Sequence, residues 1–66
     1  MTSEEARKFS AKLKLYETRV TVDDGVTTII GTVNMIGLHK GSECIWVGRH
    51  RINLRHGYKV TIVESR

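Results

Sequence analysis

A chain of 66 residues has room for one domain with one small hydrophobic core, because a domain of this size buries only about 60% of the surface that its unfolded chain exposes. Its single cysteine, Cys44, excludes an internal disulfide, and the lack of an apolar run of signal-peptide or membrane-spanning length leads us to expect a cytoplasmic protein without a membrane segment. The formal net charge of +4 suits phosphate backbones or acidic protein surfaces as partners. The alternative is that so modest a charge serves solubility alone.

The positive charge is unevenly distributed along the chain. Residues 1–24 carry as many basic as acidic side chains, so the whole excess of +4 arises in residues 25–66. Small domains often gain further stability from a disulfide, a metal or a second subunit. With the disulfide excluded, we expect a homodimer.

Residues 1–12 are predicted to form an N-terminal arm or a short helix. Thr2 and Glu5 have the spacing of a capping box, in which each side chain bonds the other residue's backbone. Apolar residues then recur at helical spacings, at Ala6, Phe9 and Leu13. About a dozen residues do not hold a helix in water without packing, so a loose tail is the alternative.

Residues 13–66 are predicted to form a single small β domain that begins with a hairpin. Asp24-Gly25 is the strongest turn signal, because both central positions of a tight hairpin turn need positive φ. A two-residue loop there would place Asp23 opposite Val26. The inward face would then comprise Tyr16, Val20, Val22, Ile29, Val33 and Met35.

Two further signals organise residues 45–63. Arg55-His56-Gly57 has the composition of a three-residue hairpin loop, which would place Leu54 opposite Tyr58. The inner row would be Ile52, Leu54, Tyr58, Val60 and Ile62, and the outer row would include Arg49, Arg51 and Lys59. Upstream of this hairpin, a bulge at Gly48 would turn Trp46 outward, whereas an unbroken strand would turn it inward. As the only tryptophan of so small a domain, Trp46 is expected in the core rather than on an exposed face.

These patterns predict an all-β fold, a small antiparallel meander of four to five strands with a short N-terminal arm or helix. The loop between Gly37 and Ser42 fits a connection between neighbouring strands. The meander could curl into a small barrel of the SH3-like type or remain an open sheet, and an open sheet leaves edges that favour dimerisation.

Catalytic and metal-binding patterns are weak. The only adjacent carboxylates, Asp23 and Asp24, are explained by the turn, and Cys44 fits a small buried apolar residue better than a nucleophile. His50 and His56 lack the spacing of a metal site, and arginines flank His50. We therefore expect a protein that is not an enzyme and needs no metal or cofactor.

The sharpest functional hypothesis is non-catalytic binding of nucleic acid, mostly through the phosphate backbone. Arginine forks engage phosphate bidentately, and an aromatic ring on a basic sheet face can stack on bases. The candidate residues are Trp46, Arg49, Arg51, Arg55, His56 and Lys59. The alternative is a small protein-protein interaction module or inhibitor that docks on an acidic protein surface.

Overall fold

The computed structural model describes residues 1–63 and confirms the predicted all-β meander with an N-terminal helix. The last three residues of the predicted β domain, 64–66, lie outside the described part. One helix precedes five strands, which are α1 (Ser3–Ser10), β1 (Arg19–Asp23), β2 (Thr28–His39), β3 (Ser42–Val47), β4 (His50–Asn53) and β5 (Lys59–Val63).

The five strands form one open antiparallel sheet in the order β4-β3-β2-β1-β5. β2 is 12 residues long; its first part pairs with β1 and its second part pairs with β3. All five strands contribute to one core, so the sheet bends around it. The strand residues of this core are Val20, Val22, Val33, Ile45, Val47, Ile52 and Val60.

Helix α1 forms because its N-terminus is capped and one of its sides is buried. The Thr2 hydroxyl accepts from the backbone N–H of Glu5, and the Glu5 carboxylate accepts from the backbone N–H of Thr2. Ala6 is fully buried, and Phe9 packs against the core. Ser3 Oγ donates to Glu43 Oε1 at 2.9 Å, which ties the first turn to β3. This tertiary packing stabilises α1, because a helix of eight residues is not stable alone in water.

The first hairpin turns where the sequence predicts, but its register differs by two residues. Val22 pairs with Ile29 and Asp23 pairs with Thr28, so the predicted pairing of Asp23 with Val26 is wrong. The loop has four residues because Asp24 Oδ1 accepts from the backbone N–H groups of Val26 and Thr27, at 2.8 Å each. A shift of two residues keeps the residues that β1 and β2 pair, 19–23 and 28–32, on their predicted faces.

Two residues assigned to the inward face of this hairpin lie elsewhere. Tyr16 precedes β1 rather than extending it; its φ is 64° and its side chain is 75% exposed. Only its backbone joins the sheet, through an N–H that donates to the carbonyl of Val33. A β-bulge between Val33 and Met35 reverses the alternation. Met35 therefore points outward and is 48% exposed.

Gly48 marks a tight turn between two strands. Val47 pairs with His50, so Gly48 and Arg49 form a two-residue connection between β3 and β4. Gly48 has a φ of 62°, as the first central position of a type II′ turn requires. The chain reverses here instead of bulging, and Ile45 and Val47 face the core while Trp46 faces outward.

The predicted pairing of Leu54 with Tyr58 is also wrong. β5 crosses to the other side of the sheet and pairs with β1, where Val60 lies opposite Val22 and Ile62 lies opposite Val20. Asn53 Oδ1 accepts from the backbone N–H of Arg55, which turns the chain away from β4. The predicted inner row is nevertheless apolar and inward. Ile52, Leu54 and Val60 are buried, and Tyr58 and Ile62 pack against the same core.

Candidate nucleic-acid interface

Trp46 and Arg51 are cross-strand neighbours on the outward side of the sheet. Trp46 of β3 lies opposite Arg51 of β4 and opposite Met35 of β2. Cross-strand partners point to the same side of a sheet, and Ile45 and Ile52, which alternate with these residues, belong to the core. We call the outward surface formed by Met35, His39, Trp46 and Arg51 the Trp46 face.

The Trp46 ring leans across β2 instead of entering the core. A methyl group at Gly37 would lie 3.8 Å from Trp46 Cζ3, so the ring lies beside the position where Gly37 lacks a side chain. Trp46 is partly exposed, and it is absent from the cluster of core residues. Part of an aromatic surface is therefore available to a ligand on the Trp46 face.

The Arg51 side chain extends from β4 across β3 to a side chain of β2. Its Nη1 donates to Nδ1 of His39 at 3.5 Å, although β3 separates β4 from β2. Cys44 points to the same side from β3 and is only 1% exposed. Cys44 thus fills the space beneath larger neighbours, which agrees with its interpretation as a small buried residue.

Arg49 and Lys40 extend the positive charge at two turns beside the Trp46 face. Arg49 is exposed in the turn between β3 and β4, and Lys40 occupies the turn between β2 and β3 with a φ of 51°. None of the residues that β2, β3 and β4 direct outward, within the described chain, is acidic. The charge of this surface is therefore uncompensated.

The other predicted site residues lie away from this cluster. Lys59 is on β5 at the opposite edge of the sheet, where its partner on β1 is Asp23. Arg55 and His56 are exposed in the connection between β4 and β5. The structure thus brings together Trp46, Arg49 and Arg51, and it separates Arg55, His56 and Lys59 from them.

His39 and Lys40 were missed by the sequence-based choice of site residues. His39 ends β2 and Lys40 follows it in the turn, and both are far in sequence from the basic stretch after residue 48. The signal that could have found them is the loop between Gly37 and Ser42, because a hairpin there places the end of β2 beside β3 and its neighbour β4.

Glu43 lies on the inward side of β3 and is 9% exposed. Hydrogen bonds from its own backbone N–H and from the Ser3 hydroxyl lower the pKa of the Glu43 carboxyl, and the charges of Arg55 and Arg7 act in the same direction against the effect of burial. The acidic side chain of β3 is therefore directed towards α1, on the other side of the sheet from Trp46.

The remaining chemistry of the described residues is sparse. Across residues 1–63, no three His, Cys, Asp or Glu side chains come together in a group that could hold a metal ion. In the same range, no helix has the length and apolar character needed to cross a membrane. Comparison with protein-family models, curated proteins and solved structures finds no match to this chain.

Proposed function

We propose that this protein binds nucleic acid without catalysis, through the Trp46 face and Arg49, and mostly by contacts to the phosphate backbone. The observation that carries the proposal is the pairing of Trp46 with Arg51 on one outward surface. A basic surface that carries an aromatic ring matches the way in which single strands are commonly bound, with phosphates on cations and bases stacked on rings.

Electrostatics also supports an anionic partner. Arg49 and Arg51 are both exposed, and His39 accepts a hydrogen bond from the second of them. An arginine held in place loses less conformational freedom when it engages a phosphate than one that must be ordered on binding. The guanidinium fork then suits two phosphate oxygens at once.

The proposal predicts weak sequence preference and a clear dependence on salt. With about three phosphates neutralised, the logarithm of the binding constant of a single strand falls with the logarithm of salt concentration at a slope of about −2. One ring offers one stacking position, and such a position contributes roughly 1–3 kcal/mol.

A titration of fluorescent single-stranded and duplex oligonucleotides at low salt tests the proposal. We expect Arg51→Glu to weaken binding strongly. Lys59→Glu, which makes the same charge change at the far edge of the sheet, is the matched control and should have a small effect. Equal losses for both variants would show that net charge alone drives binding, and no binding at micromolar protein would reject the proposal.

Trp46 provides an independent readout because it is the only tryptophan in the chain. Stacking of a base on its ring should quench or shift its fluorescence during the same titration. Binding without any change in Trp46 emission would place the nucleic acid on another surface.

Docking on an acidic protein surface is the second candidate, and Met35 is the observation that favours it. Met35 is 48% exposed opposite Trp46, on the same face as Arg51, and methionine, aromatic residues and arginine are enriched in protein interfaces. A pull-down with wild-type protein and with Arg51→Glu as the control would test this candidate if the oligonucleotide titrations show no binding.

We also propose that the protein self-associates as a homodimer in the cytoplasm. β4 and β5 form the two edges of the sheet, and an uncovered edge can pair with another strand. Sedimentation of the purified protein over a range of concentrations would distinguish a homodimer from a monomer.

A further inference from the structure

An open depression lies between β2 and the turn that joins β3 to β4. Its volume is about 560 Å³, within the range of roughly 300–1,000 Å³ that small-molecule sites occupy. Its inner surface is apolar, with Val47 buried and Ile29 half-buried. Gly31 packs closely against the floor of the depression, because a methyl group there would lie 2.7 Å from Val47 Cγ1.

Polar groups surround this apolar floor. Thr32 and Asn34 line the side formed by β2, and the exposed Arg49 and His50 line the side formed by the turn. Asn34 Nδ2 donates to the carbonyl of Gly48 at 3.3 Å, which fastens the bulge of β2 to the turn. None of the described residues that line the depression is acidic.

We propose that this depression binds a single nucleobase, with the attached phosphate at Arg49. This inference rests on the proposed function and adds a second subsite to it. A flat ring has two apolar faces and a polar edge, and the depression offers an aliphatic floor with a hydroxyl and an amide beside it. The guanidinium of Arg49 supplies positive charge at the rim, and the imidazole of His50 adds a second planar group there.

The position of Arg49 links the two subsites. Arg49 lines the depression and is two residues from Arg51, which belongs to the Trp46 face. We extend the proposal to a strand whose phosphate at Arg49 lies between a base in the depression and another base on the Trp46 face. The turn at Gly48 and Arg49 is the point where the strand passes from one subsite to the other.

Binding of mononucleotides, followed through the backbone amide signals of ¹⁵N-labelled protein, tests the inference. The four nucleoside monophosphates are compared with ribose 5-phosphate, which carries the same phosphate without a base. We expect the monophosphates to shift the amides of Gly31, Thr32 and Gly48, and ribose 5-phosphate to bind at least tenfold more weakly. Equal affinities for the two kinds of ligand, or shifts confined to the Trp46 face, would overturn the inference.

Two variants localise the effect. Thr32→Leu fills the depression from the β2 side and should weaken monophosphate binding at least fivefold. Thr61→Leu places the same side chain on an exposed position of β5 and should leave binding unchanged. The amide spectrum of each variant shows whether it is folded, and Arg49→Ala tests the same site without filling it. Unchanged binding in both Thr32→Leu and Arg49→Ala would overturn the inference.

The failure of this inference is distinguishable from the failure of the proposed function. If an oligonucleotide perturbs Trp46 but leaves the amides of the depression unchanged, the base subsite is wrong and the proposed function stands. If monophosphates shift those amides while oligonucleotides bind nowhere on the protein, the subsite stands and the proposed function is wrong.

Discussion

Arg51 Nη1 lies 3.5 Å from His39 Nδ1, so a side chain of the edge strand β4 reaches across β3 to a side chain of β2. Arginine can only donate, so Nδ1 of His39 is the acceptor in this contact. A hydrogen bond of this exposed kind contributes modestly to stability. Its larger effect is to hold the guanidinium over the Trp46 face.

Replacing His39 should therefore weaken nucleic-acid binding through Arg51. We expect His39→Ala to lower the affinity about two- to fivefold, which corresponds to roughly 0.4–1 kcal/mol. His39→Asn is the control, because its side-chain oxygen can accept in place of Nδ1 and should retain most of the affinity. In the background of Arg51→Ala, His39→Ala should have no further effect on affinity. Additive losses in the double variant would show that His39 contacts the ligand independently.

Trp46 should matter more for binding than for folding. Trp46→Ala removes the stacking surface and should weaken the affinity for a single strand by roughly 1–3 kcal/mol, whereas Trp46→Phe should retain part of it. Ile45→Ala is the comparison for stability, because Ile45 is fully buried and its truncation should lower the free energy of unfolding by about 2–5 kcal/mol. Urea unfolding and oligonucleotide titration of both variants check the two effects. A larger stability loss for Trp46→Ala than for Ile45→Ala would contradict this assignment.

The faces of the strands could be predicted from the sequence, but strand pairing could not be predicted completely. Alternation of apolar and polar residues placed Val20, Val22 and Val60 on the core side and Arg51 and Lys59 on the outer side. Register depended on details of the loops. The Asp24 side chain accepts from two backbone N–H groups, which makes the first loop longer than the predicted two residues. The alternation of apolar and polar residues is the same in two registers that differ by two residues, so it does not distinguish them.

The position of Lys59 shows why the structure brings together only some of the predicted site residues. Arg55-His56-Gly57 has the composition of a three-residue hairpin loop, so the sequence predicts that β5 lies beside β4. In the structure β5 pairs with β1, where Val60 lies opposite Val22. Such a contact joins residues far apart in the chain and leaves no local signal. Trp46 and Arg51 are cross-strand neighbours because the chain turns at Gly48. The sequence alone does not distinguish this turn from a bulge.

Gly31 and Gly37 allow a test of close packing within β2. A methyl group at Gly31 would lie 2.7 Å from Val47 Cγ1, whereas one at Gly37 would lie 3.8 Å from Trp46 Cζ3, an ordinary contact distance. We expect Gly31→Ala to lower the free energy of unfolding by about 1–3 kcal/mol and Gly37→Ala to change it by less than about 1 kcal/mol. Urea denaturation measures both.

The source of the Gly31 effect can be isolated with Val47. If the loss arises from contact with Val47 Cγ1, combining Gly31→Ala with Val47→Ala should cost less than the sum of the two single changes. Strict additivity would show that the methyl group acts on some other part of the sheet.

Glu43 should make the fold sensitive to acid. Hydrogen bonds from its own backbone N–H and from Ser3 lower the pKa of the Glu43 carboxyl in the folded state. A lowered pKa means that the ionised form stabilises the fold at pH values above the unfolded pKa of about 4.3, and that this stabilisation is lost as pH falls through the folded pKa. We expect wild-type protein to lose more stability than Glu43→Gln between about pH 5 and pH 3.

The comparison with Glu43→Gln isolates this carboxyl from others that titrate in the same range. The pKa values of Glu5 and Asp24 are also lowered, mainly by hydrogen bonds to their carboxylates at the start of α1 and in the first hairpin loop. Glu5 and Asp24 are present in the wild type and in Glu43→Gln, so their contributions cancel in the difference in stability between these two proteins. Unfolding by urea at several pH values gives that difference. Parallel stability curves would mean that the ionisation of Glu43 does not stabilise the fold, and Ser3→Ala should then also leave the pH dependence unchanged.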